Sequence, residues 1–178
     1  IQLIRARAWA LVGDKEMVTT AIRTADEALA VDSNEMLHDE IGGQLGWLQD
    51  RHDMCAGAAL VAAGEPLEAS NRLRIVVDRD DAPADVTDRA RADLAAACLD
   101  AGDFDAAAEA LDPVWATPTE HRRFGLTSRL DAVVSLLASQ RWAGHKPATA
   151  LSEQIHAFGL EAADHRAIVA SESQTKRR

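Results

Sequence analysis

The stretch Ala95-Ala96-Ala97-Cys98-Leu99-Asp100-Ala101-Gly102-Asp103-Phe104-Asp105-Ala106-Ala107 ends one apolar helix and begins another across a single Gly-Asp step. The step recurs at Gly13-Asp14 and, with glutamate, at Gly64-Glu65. A helix that closes in the left-handed conformation favours a residue without Cβ, and the acid that follows accepts from the free amides of the next helix. The flanks of the three steps superimpose. Seven residues before each glycine stands a very small side chain (Ala6, Gly57, Ala95), and four before it a larger one (Trp9, Leu60, Cys98). Five residues after it come Val18, Ala69 and Ala107; nine after it Ile22, Leu73 and Leu111; twelve after it Ala25, Val76 and Val114.

Five matched positions in three copies are the signature of a helix-turn-helix repeat of tetratricopeptide type. In such a repeat, tiny residues let helix A approach helix B, and aliphatic ones fill the seam. The glycines are 51 and 38 residues apart, against about 34 for a regular repeat of this kind, so the copies are degenerate and separated by inserted segments. The expected fold is all-α: a right-handed stack of helix pairs, an α-solenoid. One helical domain is read over residues 1–165, with repeats at about 1–31, 50–77, 85–116 and 119–160, and a polar tail at 166–178.

Periodicity refines this outline. Helix A of the first repeat is read over Ile1 to Val12 and helix B over Asp14 to Val31, with Val18, Ile22, Ala25 and Leu29 inward. A short helix over Glu35 to Ile41 is followed by a bend at Gly42-Gly43. Asp50 is placed as the cap of the second helix A, and Pro66 in the first turn of its helix B, where a missing amide does no harm. Asp78 to Pro83 reads as a solvated loop, and Asp85 with Asp88 as a capping box for the third helix A. Asp112-Pro113 interrupts the third helix B, leaving a short piece from Pro113 to Ala116. Thr117-Pro118-Thr119-Glu120 opens a long helix to about Ser139, and a last helix runs from Ala148 to about Leu160.

The chain has 178 residues, 29 acidic and 19 basic, for a formal charge of −10. That balance argues against a nucleic-acid or anionic-membrane surface within the chain, because phosphate binding needs clustered Lys and Arg. Lys176-Arg177-Arg178 is too short to reverse it. No stretch has the length of a membrane span and no signal peptide precedes the first helix, so a cytoplasmic location is expected, with Cys55 and Cys98 as free thiols. The chain starts at Ile1, already in helical pattern, and is read as a fragment whose upstream portion is missing.

Three phrases carry a family likeness: Asp39-Glu40-Ile41-Gly42-Gly43-Gln44-Leu45, the segment Ala110-Leu111-Asp112-Pro113-Val114-Trp115-Ala116-Thr117-Pro118-Thr119-Glu120-His121-Arg122-Arg123, and the ending Ala150-Leu151-Ser152-Glu153-Gln154-Ile155-His156-Ala157-Phe158. Together they resemble the carboxy-terminal half of actinobacterial transcription regulators that carry an amino-terminal helix-turn-helix of the Xre type. The charged run Asp50-Arg51-His52-Asp53 stands where that family often has aromatic or Lys-Gln pairs. The resemblance implies a sensor or dimerisation half, a homodimer that meets DNA only through the missing upstream domain.

Catalytic chemistry finds no motif. His38-Asp39-Glu40 and the pair His52 and Cys55 offer too few converging ligands for a metal, and Gly42-Gly43-Gln44-Leu45-Gly46 lacks the strand and spacing of a dinucleotide loop. The chain is read as non-catalytic, with no cofactor and no metal. A repeat protein binds through its inner groove. The register places Arg7, Arg51, Met54, Arg89, Ala92 and Ala96 there, beside Leu3 and Ala58, with Arg122, Arg123 and Arg129 joining from the fourth helix A. Arginines amid small apolar residues suit a peptide terminus, a small molecule or a protein partner bearing carboxylates; salt bridges to neighbouring acids are the alternative reading. Trp47, Trp115 and Trp142 are read as core or inter-repeat anchors. A free-standing adaptor and an accessory component of a biosynthetic enzyme stay open beside the regulator.

Overall fold

A computed structural model of the protein describes residues 1–32 and 49–175. All regular structure among them is helical: α1 (Gln2–Leu11), α2 (Lys15–Asp32), α3 (Gln49–Ala62), α4 (Pro66–Val77), α5 (Ala84–Ala101), α6 (Phe104–Leu111), α7 (Phe124–Leu137) and α8 (Lys146–Thr175). Short 3-10 turns cover Asp112–Ala116, Thr119–His121 and Gln140–Trp142. None of the described helices is long and apolar enough to cross a membrane. The expected helix at Glu35 to Ile41, the Gly42-Gly43 bend, Trp47 and His38-Asp39-Glu40 lie outside the described residues.

The three glycine steps fold alike. Gly13, Gly64 and Gly102 have φ of 78°, 68° and 92°, a region that costs a side-chain-bearing residue steric energy. In each, the glycine amide bonds the carbonyl three residues back, and the next amide bonds the carbonyl five back: Asp14 to Trp9 at 3.1 Å, Glu65 to Leu60 at 3.0 Å and Asp103 to Cys98 at 2.8 Å. This double closure satisfies carbonyls that the helix end leaves bare. The acid then starts the next helix: the Asp14 carboxylate accepts from the Met17 amide and the Asp103 carboxylate from the Ala106 amide, both at 3.0 Å. Glu65 instead pairs with Lys15 at 2.7 Å, tying the second turn to the first.

Each step makes a helical hairpin, α1 with α2, α3 with α4, and α5 with α6. The first members pack in succession, α1 on α3, α3 on α5 and α5 on α7, and α4 also packs on α5. The matched positions form the seams. Ala6, Ala95, Ala69, Ala107, Leu73, Leu111, Val76 and Val114 are fully buried, and Val18 and Ile22 nearly so. Trp9 is the exception, exposed at the position that Leu60 and Cys98 fill from inside.

Helix boundaries differ from expectation where side chains found other partners. α5 starts behind Pro83 with no side-chain cap; Asp85 pairs with Arg89 at 2.5 Å and Asp88 accepts from Thr117 at 2.8 Å, so neither closes a capping box. Asp50 lies inside α3, buried, and pairs with Arg79 at 3.0 Å in place of capping. Arg79, which also bonds Asp81, ties the 78–83 connection to the core. α7 begins at Phe124, later than Thr117, because Arg122 donates to the Thr117 carbonyl at 2.9 Å and pairs with Glu161 at 2.5 Å, holding the chain in a turn. At the far end α8 continues to Thr175, past Leu160 and through most of the expected 166–178 tail.

Aromatic contacts join the last helices to the rest. Trp115 meets Phe158 edge-on at 5.7 Å, and Phe104 packs on Trp142 at 5.8 Å and on His145 at 4.8 Å. Arg141 donates to the Leu99 and Asp100 carbonyls at 3.3 and 2.6 Å, a cation at the negative end of α5. These are the anchoring positions expected of Trp115 and Trp142.

The seam sets a size limit that mutation can read. A Cβ built on Gly57 would lie 2.5 Å from Cγ of the fully buried Leu73, while one on Gly159 in α8 meets nothing within 4 Å. Alanine raises helix propensity by about 1 kcal/mol at either site, but overpacking the seam costs about 1–3 kcal/mol. Gly57→Ala is therefore expected to lower the thermal midpoint and Gly159→Ala to raise it, both checked by calorimetry. The reverse order would refute this packing.

Candidate ligand-binding cleft

The helices that open the hairpins present basic side chains on a shared side. Arg51 comes from the first turn of α3, Arg89 from the second turn of α5 and Arg129 from α7. Arg51 and Arg89 each sit thirteen residues before a left-handed turn glycine, Gly64 and Gly102. Both line one cleft of about 750 Å³, between the start of α5 and the 112–123 connection. Its other walls are Asp85, Asp88, His121 and Arg123, with Ala84, Pro113, Ala116, Thr117 and Pro118. That volume lies in the range of small-molecule sites.

The residues expected in the groove divide into two groups. Arg51 and Arg89 are brought together, and Arg123 joins them. Met54, Ala92 and Ala96 are core, at 2%, 0% and 2% exposure, and Leu3 is buried with them. The reason is packing: α3 contacts α1, α4 and α5, and α5 contacts α3, α4, α6 and α7, so these helices have no wide free face. Arg7 is exposed on α1 and outside the cleft. Arg122 stacks over Phe158 at 3.9 Å and serves α8.

One turn beyond Arg89 in α5 lies a buried charge that the register did not single out. Asp93 is 8% exposed and accepts from Arg129 Nε at 2.8 Å, while Arg129 also donates to the Gly125 carbonyl at 2.7 Å. Burial pushes the Asp93 carboxyl up, and Arg129, Arg7 and Arg89 pull it back. The Cys55 thiol is raised by burial against the same three arginines. Arg129, Arg7 and Arg89, from α7, α1 and α5, thus each act electrostatically on both Asp93 and Cys55. Within the cleft, burial raises the Asp88 carboxyl and the Thr117 hydroxyl opposes that shift.

A second buried network closes the α2, α3 and α4 interface. His52 Nε2 lies 2.6 Å from Asp26, Arg72 pairs with both Asp26 and Asp53, and Gln49 donates to Asp53 at 2.9 Å. His52 and Asp53 are each 2% exposed. The run from Asp50 to Asp53 therefore points largely inward, apart from Arg51, and His52 is a hydrogen-bonded structural group. Both cysteines are free thiols, Cys98 buried and Cys55 half-buried.

No protein-family model, curated protein or solved structure matches the chain.

Removing one partner of a buried ion pair strands the other, at a cost of roughly 3–5 kcal/mol. Arg129→Leu should destabilise by that order near pH 7. The stranded carboxyl would have a folded-state pKa further above its unfolded value, so its penalty is full at high pH and shrinks as pH falls toward the ordinary aspartate range. Urea unfolding should show the gap between variant and wild type narrowing from about pH 7 to about pH 5. A pH-independent gap would mean that Asp93 is not the group left unpaired.

Proposed function

We propose that the chain is the non-catalytic, ligand-sensing and oligomerising half of a cytoplasmic transcription regulator. Its helical hairpins form a right-handed tetratricopeptide-like stack. The observation that carries the reading is the cleft, where a repeat-equivalent arginine pair, Arg51 and Arg89, lines a cavity of small-molecule size. The three equivalent left-handed turns support the repeat architecture, and the phrases shared with Xre-type regulators supply the biological setting. Sensing here means that a peptide, small molecule or protein partner occupies the cleft and biases assembly.

Assembly has its own support. α1 buries Leu3, Ala6 and Ala10 but leaves Ile1, Ile4, Leu11 and Val12 in solvent, with Ile4 at 73% and Leu11 at 85% exposure. An apolar stripe there suits a homodimer contact. DNA is met through a separate upstream domain, since a net charge of −10 opposes phosphate contact by the chain itself.

The test is a fusion to a monomeric DNA-binding domain that represses only as a dimer. Wild-type chain should restore repression of a reporter, and Ile4→Glu with Leu11→Glu should abolish it while leaving the far-ultraviolet helical signal intact. The isolated chain should give no salt-sensitive, sequence-selective shift with duplex DNA. Absence of repression by the wild-type fusion, with a monomeric mass in sedimentation, would sink the oligomerising role.

A further inference from the structure

We propose, resting on the oligomerising role assigned above, that α1 docks against the outward face of α8 in a second copy of this chain. The contact joins two unlike surfaces. Spacing, size and charge of what each helix leaves in solvent point to it.

α1 has two apolar faces. Leu3, Ala6 and Ala10 are buried, while Ile1, Ile4, Ala8 and Leu11 stand exposed at steps of three, four and three residues. Residues spaced in this way fall in one line along a helix, the pattern by which two helices interlock at a shallow angle. α8 carries a matching line. Glu153, Ala157, Leu160, Asp164 and Ala167 recur at steps of four, three, four and three, and all are exposed, whereas Leu151, Ile155, Phe158 and Ala162 are buried. The two lines agree in length, since Ile1 to Leu11 covers about 15 Å of helix axis and Glu153 to Asp164 about 16 Å.

Size and charge favour this pairing over two α1 helices face to face. The α3 and α4 seam sets the small Gly57 against the large Leu73. α1 offers isoleucine and leucine, and α8 offers Ala157 and Ala167 around Leu160, which is 66% exposed. The charged side chains of α1 are Arg5 and Arg7, both exposed, with no acid on the helix. Arg5 donates to the neutral Gln2 at 3.4 Å, and Arg7 also acts on the buried Asp93. α8 has the opposite sign. From Thr149 to His165 it carries Glu153, Glu161 and Asp164 and no Lys or Arg. Glu161 is held by Arg122, which leaves Glu153 and Asp164 on the outward line. Two α1 helices would bring four guanidinium groups together with no acid on either helix, whereas α1 on α8 brings cations to carboxylates, the arrangement that favours one docking mode over another.

The experiment is sedimentation of the full chain with one variant for each surface. Ile4→Glu with Leu11→Glu disables α1, and Leu160→Arg disables α8. All are changes at exposed positions, and the far-ultraviolet helical signal checks that each variant folds. Wild type should sediment above the monomer mass, and each variant alone should be monomeric at the same concentration. An equimolar mixture of the two should recover a complex, because the intact α1 of the Leu160→Arg chain meets the intact α8 of the other. Glu153→Arg with Asp164→Arg should weaken wild-type association by about tenfold or more, since it sets like charges against Arg5 and Arg7. Association of the Leu160→Arg chain at wild-type strength would mean that α1 pairs with itself, which overturns this contact and leaves the oligomerising role standing. Two monomeric variants that form no complex on mixing, or unchanged association after the charge reversal, would also overturn it. A wild-type chain that stays monomeric would remove the oligomerising role and the contact together.

Discussion

The three left-handed glycines fix the geometry on which the other contacts rest. Each turn closes with the same pair of backbone hydrogen bonds, so each hairpin leaves its turn at the same angle. Once that angle is set, the residue seven before the glycine meets the residue nine after it, and their sizes must be complementary. Gly57 against Leu73 is the tightest case, with no room for even a methyl group. At the equivalent positions Ala6 and Ile22, and Ala95 and Leu111, are likewise buried, with one carbon more on the small side. Alanine-rich helices have little side-chain relief of their own. Their register is fixed by the turn and then locked by these small-to-large contacts.

Between elements, buried polar and charged groups supply the specificity that alanine cannot. α3 and α5 carry Asp50, His52, Asp53 and Asp93 inward, and each meets a charged partner from another segment: Arg79, Asp26, Arg72 and Arg129. Such pairs add little net stability, because desolvation offsets most of the attraction. They penalise any slip that would separate them, since a stranded buried charge costs several times more than the pair contributes. In a protein whose seams are mainly methyl groups, that penalty holds one element against the next.

What the sequence made legible follows from this division. The hairpin turns, their five matched positions and the break at Asp112-Pro113 are short-range and could be read directly. The expected inward positions of helix B, Val18, Ile22, Leu73, Val76 and Leu111, are buried. Contacts between segments distant in sequence were not legible. Asp50, Asp85 and Asp88 have the composition of helix caps, yet Asp50 and Asp88 are claimed by partners in other segments and Asp85 by Arg89 one turn on. Arg122 delays α7 through α8, 39 residues away. Met54, Ala92 and Ala96 fell in the groove register because a single helix projection cannot count how many neighbours a helix has; α5 contacts four others. A signal did exist for the buried pairs, namely acids at apolar register positions such as Asp93, nine residues before its glycine as Cys55 is before Gly64.

The cleft forms where the third hairpin departs from the other two. α6 stops after eight residues at Leu111, where Pro113 forbids continuation, whereas α2 runs for eighteen and α4 for twelve. The chain then crosses in two 3-10 turns over Asp112–Ala116 and Thr119–His121 before α7 begins. A full-length helix would carry Pro113, Ala116 and Pro118 away along its axis. The broken path instead folds them back beside the start of α5, where they line the same cleft as Arg51 and Arg89. The like turns of the second and third hairpins thus bring two arginines to one cleft, and the 112–123 connection adds the third arginine and most of the remaining lining. A site built this way can change its ligand by altering the 112–123 connection without disturbing the seams, which is the separation of scaffold from specificity that loops on rigid supports provide.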